Sequence, residues 1–378
     1  MLPNAALVGV PGSREKLVTP ALVLDLDILE ANIARMADHC RRAGIALRPH
    51  AKTHKSARIA RLQIEAGAIG ICCATIGEAE IMVGSGIGGV LITSPVVHPA
   101  NIERLVRLHG RATDLMCVVD HPDNVRAIAD RMSASAPSLR LLVDVDIGLG
   151  RTGASTVHDV VSLAKQIDDS PHLSFAGVQG YAGHVQHIES VAARAELAAG
   201  GLAKMAEVVD ALAAIGKKPA IVSGGGTGTH DIDFRGGVFT ELQAGSYTVM
   251  DVEYADLQWD AATPARLPFQ TALFVRTTVI SNNAAGMVTT DAGLKRFATD
   301  GPRPRIARGA PEGAVYALTG DEHGCVVFAD ASQSLPLGAA VECVVPHCDP
   351  TVNLYDHFHC VRGDTLVDLW PVDARGAY

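Results

Sequence analysis

From about residue 45 to 250, short apolar runs alternate with segments whose apolar positions recur at helical spacing. The pattern predicts strands at Ala46–Lys52, Gly70–Ala74, Gly89–Thr93, Leu115–Asp120, Leu139–Asp146, Phe175–Tyr181, Ala220–Ser223 and Glu241–Ala244. Helices are expected between them, among others at Lys55–Ala66, Asn101–His109, Asn124–Ser133, Val157–Asp168 and Val191–Ile215. Eight strands alternating with helices predict a (β/α)8 TIM barrel. The near-continuous apolarity of the strands fits a parallel sheet covered on both faces. A further run, Ala21–Asp27, precedes the series and leads into an amphipathic helix from Ile28 to Ala43. A ninth strand has no place in a closed eight-stranded barrel. From about residue 264 the pattern becomes a string of β-like runs: Gln270–Ile280, Gly286–Asp291, Ala314–Leu318, Cys325–Ala329, Ala339–Val345, His357–Arg362 and Thr365–Leu369. Turns rich in Gly, Asp, Asn and Pro separate them, which predicts an all-β domain. The expected division is an α/β barrel over 28–255 and a β domain over 1–27 and 256–378 that takes in the N-terminal strand. The tail after Trp370 is expected to pack loosely.

Length agrees with two domains, since 378 residues exceed one ordinary core. A net charge of −9 argues against a nucleic-acid partner, whose phosphates need a basic field. No apolar run reaches membrane-spanning length. The first twenty residues lack the basic head, apolar stretch and small-residue cleavage site of a leader, so a cytoplasmic protein is expected. None of the eight cysteines forms a CxxC pair, which leaves zinc ribbons and thioredoxin chemistry unsupported. Reduced, buried thiols are expected.

Candidate chemistry gathers where the barrel strands end. Arg48-Pro49-His50-Ala51-Lys52-Thr53-His54-Lys55 places Lys52 at a strand's carboxyl end, the catalytic rim of such barrels. A lysine there forms an imine with a carbonyl cofactor if burial lowers its pKa; otherwise it is an ordinary basic strand end. Ser223-Gly224-Gly225-Gly226-Thr227-Gly228-Thr229 follows the seventh strand, and Gln243-Ala244-Gly245-Ser246-Tyr247 the eighth. Glycines there let backbone N–H groups converge on an anion, and loops after strands 7 and 8 often bind phosphate. The bland alternative is a glycine-rich turn. A Walker lysine and a Rossmann spacing are both missing. Arg151, after the fifth strand, can meet a phenolate or carboxylate, or pair with Asp144 or Asp146. Tyr181, ending the sixth, can stack on a flat ring, or be a core tyrosine. In Pro346-His347-Cys348-Asp349-Pro350, an extended backbone would turn His347 and Asp349 one way and Cys348 the other. One imidazole and one carboxylate suit a divalent cation that keeps water and substrate as its other ligands. The alternative is a His–Asp hydrogen bond in a turn. Gly320-Asp321-Glu322-His323-Gly324 offers His323 as a further polar group or a surface turn.

Taken together, RPHAKTHK, GRTG, SGGGTGT, QAGSY, DEHG and HCDPTVNLYD resemble the fold-type III pyridoxal-phosphate (PLP) enzymes, the alanine-racemase-like barrels. Among these the chain is most similar to the D-threonine aldolases of the D-serine dehydratase-like branch. The resemblance implies PLP held by Lys52 as an imine. It implies a phosphate site at Ser223, Gly224, Gly225, Gly226, Thr227, Gly245 and Ser246, and Arg151 near the phenolic oxygen. Tyr181 stands where racemases stack a histidine, and Gln243 where they set an arginine against the pyridine nitrogen. His347 and Asp349 match the aldolase metal pair, with Mn2+ favoured over Mg2+, Co2+ or Zn2+. The implied activity is retro-aldol cleavage of D-threonine and other D-β-hydroxy-amino acids by a homodimer. Dehydration of D-serine or D-threo-3-hydroxyaspartate is the nearest rival. A PLP carrier would lack the β domain, and a metallohydrolase would need more His and Asp at the strand ends.

Overall fold

The computed structural model describes residues 2–378 except 113, 134–136 and 261–266. The expected change of pattern near residue 264 falls outside the described residues.

Strand β1 (Ala21–Asp25) is followed by the helix Leu26–Ala43. The helix begins earlier than its apolar period suggests because the Asp25 carboxylate accepts from Ile28 N and caps it. Eight parallel strands follow: β2 (Ala46–Leu47), β3 (Ile71–Cys73), β4 (Val90–Ile92), β5 (Met116–Val119), β6 (Leu139–Asp144), β7 (Leu173–Gly180), β8 (Ile221–Gly224) and β9 (Glu241–Leu242). Their order is β2-β9-β8-β7-β6-β5-β4-β3, and a parallel bridge between His50 and Cys72 brings β3 back against the end of β2. The barrel interior is not wholly apolar. Arg48 on the β2 side pairs bidentately with Glu241 of β9 and also donates to the Gly89 carbonyl. That buried pair ties the first barrel strand to the last.

The remaining strands are β10 (Leu273–Ser281), β11 (Met287–Thr290), β12 (Arg305–Arg308), β13 (Val315–Leu318), β14 (Gly324–Val327), β15 (Ala340–Val344), β16 (His357–Arg362) and β17 (Thr365–Pro371). All seven expected runs are strands; β12 is additional. Its Arg-Ile-Ala-Arg sequence lies mostly exposed beside β15, so it carries no apolar signal. The leftover strand β1 sits inside this sheet, antiparallel to β10 and parallel to β16. Arg14, Arg276 and Glu342 form a buried ionic cluster on the same sheet.

The tail does not pack loosely. Ala374 is fully buried, and its N–H donates to the Lys55 carbonyl at 2.9 Å. Asp373 caps Ala57 N, and Asn353 accepts from Gly376 N. Polar backbone contacts, which hydropathy does not register, hold the tail against the segment that carries Lys52. Among the described residues no helix is long and apolar enough to cross a membrane.

Candidate active site

The β2 strand ends sooner than its apolar run suggests, because Pro49 cannot donate to a ladder. Lys52 therefore sits one turn beyond the strand, in the 3-10 helix Ala51–Thr53. His50 fixes that turn. Its Nδ1 accepts from Lys52 N at 3.3 Å, so Nε2 carries the proton and donates to Thr93 Oγ1 at 3.0 Å. Burial, and next the Lys52 charge, lower the His50 pKa to about 3. His54 is also buried and neutral, lowered to about 4 chiefly by burial.

The sign of that shift makes a prediction. A histidine with a depressed folded pKa takes its proton in the unfolded chain first. Its contribution is intact above about pH 6.5 and is lost as pH falls toward about 4. His54→Gln should therefore lose about 2 kcal/mol less stability than the parent between pH 7 and pH 5. Urea midpoints at the two pH values measure this; equal losses would refute it.

Lys52 faces a cavity of about 290 Å³ at the barrel rim. Arg151, Tyr181, Gly225, Gly226, Thr227, Gln243, Gly245 and Ser246 line the same cavity. Ser223 and Gly224 do not. The Ser223 hydroxyl points into the barrel and donates to Glu241 at 2.7 Å. Arg151 lies over the Tyr181 ring, 5.7 Å from its centroid. Asp144 instead accepts from Thr152 and Gln179, and Asp146 from two backbone N–H groups, so neither takes up the arginine.

Asp349, from the β domain, lies 3.0 Å from Lys52 Nζ. It is not on an extended segment. Cys348–Val352 is a short helix whose start is capped by Asp251, from 97 residues away; Asp251 also caps the helix Val252–Ala255. Cys348 is buried beneath it, as an inert thiol raised by desolvation. His347 Nδ1 donates to Asp300 at 2.9 Å, which leaves Nε2 with its lone pair free. Burial works to lower the His347 pKa, but Asp349, Asp300 and Asp251 outweigh it and raise it. His347 and Asp349 are not hydrogen-bonded to each other, so the simple turn alternative fails. His323 lies in an exposed turn between β13 and β14.

The condition that burial lower the Lys52 pKa is not met while the ammonium is paired with Asp349. Asp349 is the dominant influence and raises it; burial opposes without prevailing. Burial alone would raise Asp349, but the Lys52 ammonium and His347 hold it well below the carboxylate range.

The cradle fits a phosphate. Among the described residues nothing accepts from the N–H groups of Thr227, Gly245 or Ser246. A Cβ at Gly245 would lie 2.7 Å from Thr53 Oγ1 and 2.8 Å from the His50 carbonyl. Gly245→Ala should thus weaken retention of a phosphate-bearing cofactor at least about tenfold, about 1.4 kcal/mol, measured by cofactor titration. Unchanged retention would move the anion elsewhere. For a metal the donor set is thinner. Among the described residues no group of three His, Cys, Asp or Glu side chains is placed to hold an ion. His347 with Asp349 fits a cation that keeps water, and Glu253 Oε2, which makes no hydrogen bond, lies 3.9 Å from His347 Nδ1 and 3.6 Å from His187 Nε2.

Several of these residues escaped the sequence reading. Thr93, Gln179 and Tyr254 line the cavity; Glu253, Asp300 and His187 surround His347. Gln179 lies two residues before Tyr181 and His187 six after it; the others stand beside no candidate motif.

A family model for the alanine racemase N-terminal domain matches residues 24–251, and one for a putative serine dehydratase domain matches 272–361. The D-threonine aldolase of Arthrobacter sp. is 40% identical over 375 residues, covering 99% of this chain and 97% of its own. The chain belongs to the D-threonine aldolase family. The 3-hydroxy-D-aspartate aldolase of Paracoccus denitrificans (strain Pd 1222) is 37% identical, covering 97% of this chain and 95% of its own. The crystal structure of D-threonine aldolase from Filomicrobium marinum superposes with a TM-score of 0.91 at 37% identity, covering 96% of this chain and 97% of that one. As a family member the protein is an enzyme of the aldolase class, a carbon–carbon lyase, on an alanine-racemase-like barrel with a β domain.

Proposed function

We propose that this enzyme cleaves D-threonine and other D-β-hydroxy-α-amino acids to glycine and an aldehyde, with PLP on Lys52 and a divalent metal at His347 and Asp349. The observation that carries this reading is the 3.0 Å approach of Lys52 Nζ to Asp349. It sets an imine-forming nitrogen from the barrel and a metal-type carboxylate from the β domain at one point. When bound, PLP supplies an electron sink at Cα, and the metal a Lewis acid for the β-hydroxyl.

The chain's own groups divide the remaining work. The N–H groups of Thr227, Gly245 and Ser246, from which no described residue accepts, would hold the phosphate. Tyr181 offers a ring face, and Arg151 brings a positive charge over it. His50 holds the Lys52 turn without carrying a competing charge. His187 is kept neutral by burial and by His347, with its pKa lowered to about 4, and its ring lies 6.4 Å from that of His347. A neutral imidazole keeps a lone pair free to take a proton, so His187 is assigned the proton of the β-hydroxyl. A homodimer, a cytoplasmic location, Mn2+ as the metal, and the division into 28–255 and 1–27 with 256–378 belong to the same proposal.

The deciding assay supplies D-threonine. Glycine with acetaldehyde is the expected outcome. Predominant 2-oxobutanoate with ammonia would make the enzyme a dehydratase and overturn the reading.

A further inference from the structure

A run of polar side chains crosses the floor of the cavity, and its hydrogen bonds can point only one way. At one end the Glu241 carboxylate, held by Arg48, can only accept, so the Ser223 hydroxyl donates to it at 2.7 Å. That hydroxyl has one proton and must accept from Gln243 Nε2, 2.8 Å away. At the other end the Thr93 carbonyl can only accept, so Gln179 turns its Nε2 toward it at 3.1 Å, and toward Asp144 at 2.9 Å. Gln179 Oε1 is left facing Gln243 Nε2 at 3.0 Å. Both N–H bonds of Gln243 are therefore committed. Flipping the amide would set two carbonyl oxygens 3.0 Å apart with no proton between them, so the orientation is fixed by the network. Gln243 lines the cavity, and among the described residues nothing donates to its Oε1. The free atom it can offer a ligand is an acceptor.

We propose that Gln243 is a positioning residue that demands a protonated group on the bound ligand, and that in the holoenzyme this group is the ring nitrogen of PLP. The inference rests on the PLP reading above. Of the polar atoms of PLP, the phosphate and phenolic oxygens accept, and the aldehyde carbon is taken by Lys52. The resemblance sets Gln243 opposite the ring nitrogen, which presents a proton when the ring is cationic. An unprotonated nitrogen would set its lone pair against that of Oε1; a protonated one makes a charge-assisted hydrogen bond. A cationic ring also draws electrons more strongly, which suits cleavage of a carbon–carbon bond. Glu241 and the Thr93 carbonyl, by orienting Gln179, Ser223 and Gln243, would set the protonation of the ring through Gln243.

The test uses the holoenzyme loaded with PLP carrying 15N at the ring. The wild-type ring nitrogen should resonate at the protonated position and show one-bond coupling to hydrogen. Gln243→Glu keeps an acceptor and should keep that signal. Gln243→Arg presents donors and should shift the signal to the unprotonated position. A wild-type signal at the unprotonated position overturns the inference, whether or not either variant folds. The PLP reading has its own readout, borohydride trapping of the label on Lys52. Trapped label with an unprotonated nitrogen defeats the inference alone, and absence of trapped label defeats both.

Discussion

Lys52→Ala should leave a folded protein that no longer holds PLP covalently, with D-threonine cleavage lowered by roughly a thousandfold or more. The fold should survive because the Lys52 side chain is 42% exposed toward the cavity and its ion pair is with Asp349 alone. The backbone N–H of residue 52, which His50 accepts, is unaffected by the substitution. Lys55 provides the control. It lies three residues on, but its Nζ is turned away to Glu78 at 2.8 Å and to the Ala374 carbonyl. Lys55→Ala should reduce stability while still retaining the cofactor. Borohydride trapping followed by peptide mapping separates the two. Label recovered on Lys55, or retained in full by Lys52→Ala, would remove the assignment of the anchor.

Asp349→Asn should act in opposite directions on two measurements. Cleavage should fall about a thousandfold, near 4 kcal/mol, because the amide is a poor ligand for a hard cation and the β-hydroxyl loses its Lewis acid. Uptake of PLP by the free protein should become faster. In the free chain the Lys52 ammonium is held by the mostly buried Asp349 carboxylate, so the lysine must leave that partner before it can react. The same carboxylate cannot fully serve the ammonium and a metal at once. Mn2+ titration should show weakened binding in the variant, and the rate of PLP uptake should rise. Metal affinity equal to that of the parent would exclude Asp349 as a ligand; slower uptake would exclude the ion pair as the barrier.

Much of this architecture is legible in the sequence because it is driven by apolar period. All eight barrel strands and seven of the β-domain strands bury side chains that announce themselves. What escapes is held by polar groups distant along the chain. The helix Cys348–Val352 is five residues long, too short for an apolar period to show, and its cap comes from Asp251. Ser223 has the composition of a phosphate ligand, yet Glu241, eighteen residues on, claims its hydroxyl. The tail looks polar and loose until its partners Lys55, Ala57 and Asn353 are known. The direction of the Lys52 shift depends on a carboxylate nearly three hundred residues away, which no local motif reveals.

The position of β1 between β10 and β16 has a consequence for biosynthesis. Residues 21–25 are made long before their pairing partners, which begin at residues 273 and 357. While the entire barrel is being made, an Ala-Leu-Val-Leu run exposes two unpaired edges. The nascent chain therefore carries an adhesive strand for most of its synthesis, a contact order that favours slow closure and invites chaperone capture. Synthesis of β10 and β16, rather than completion of the barrel, is the event that seals β1.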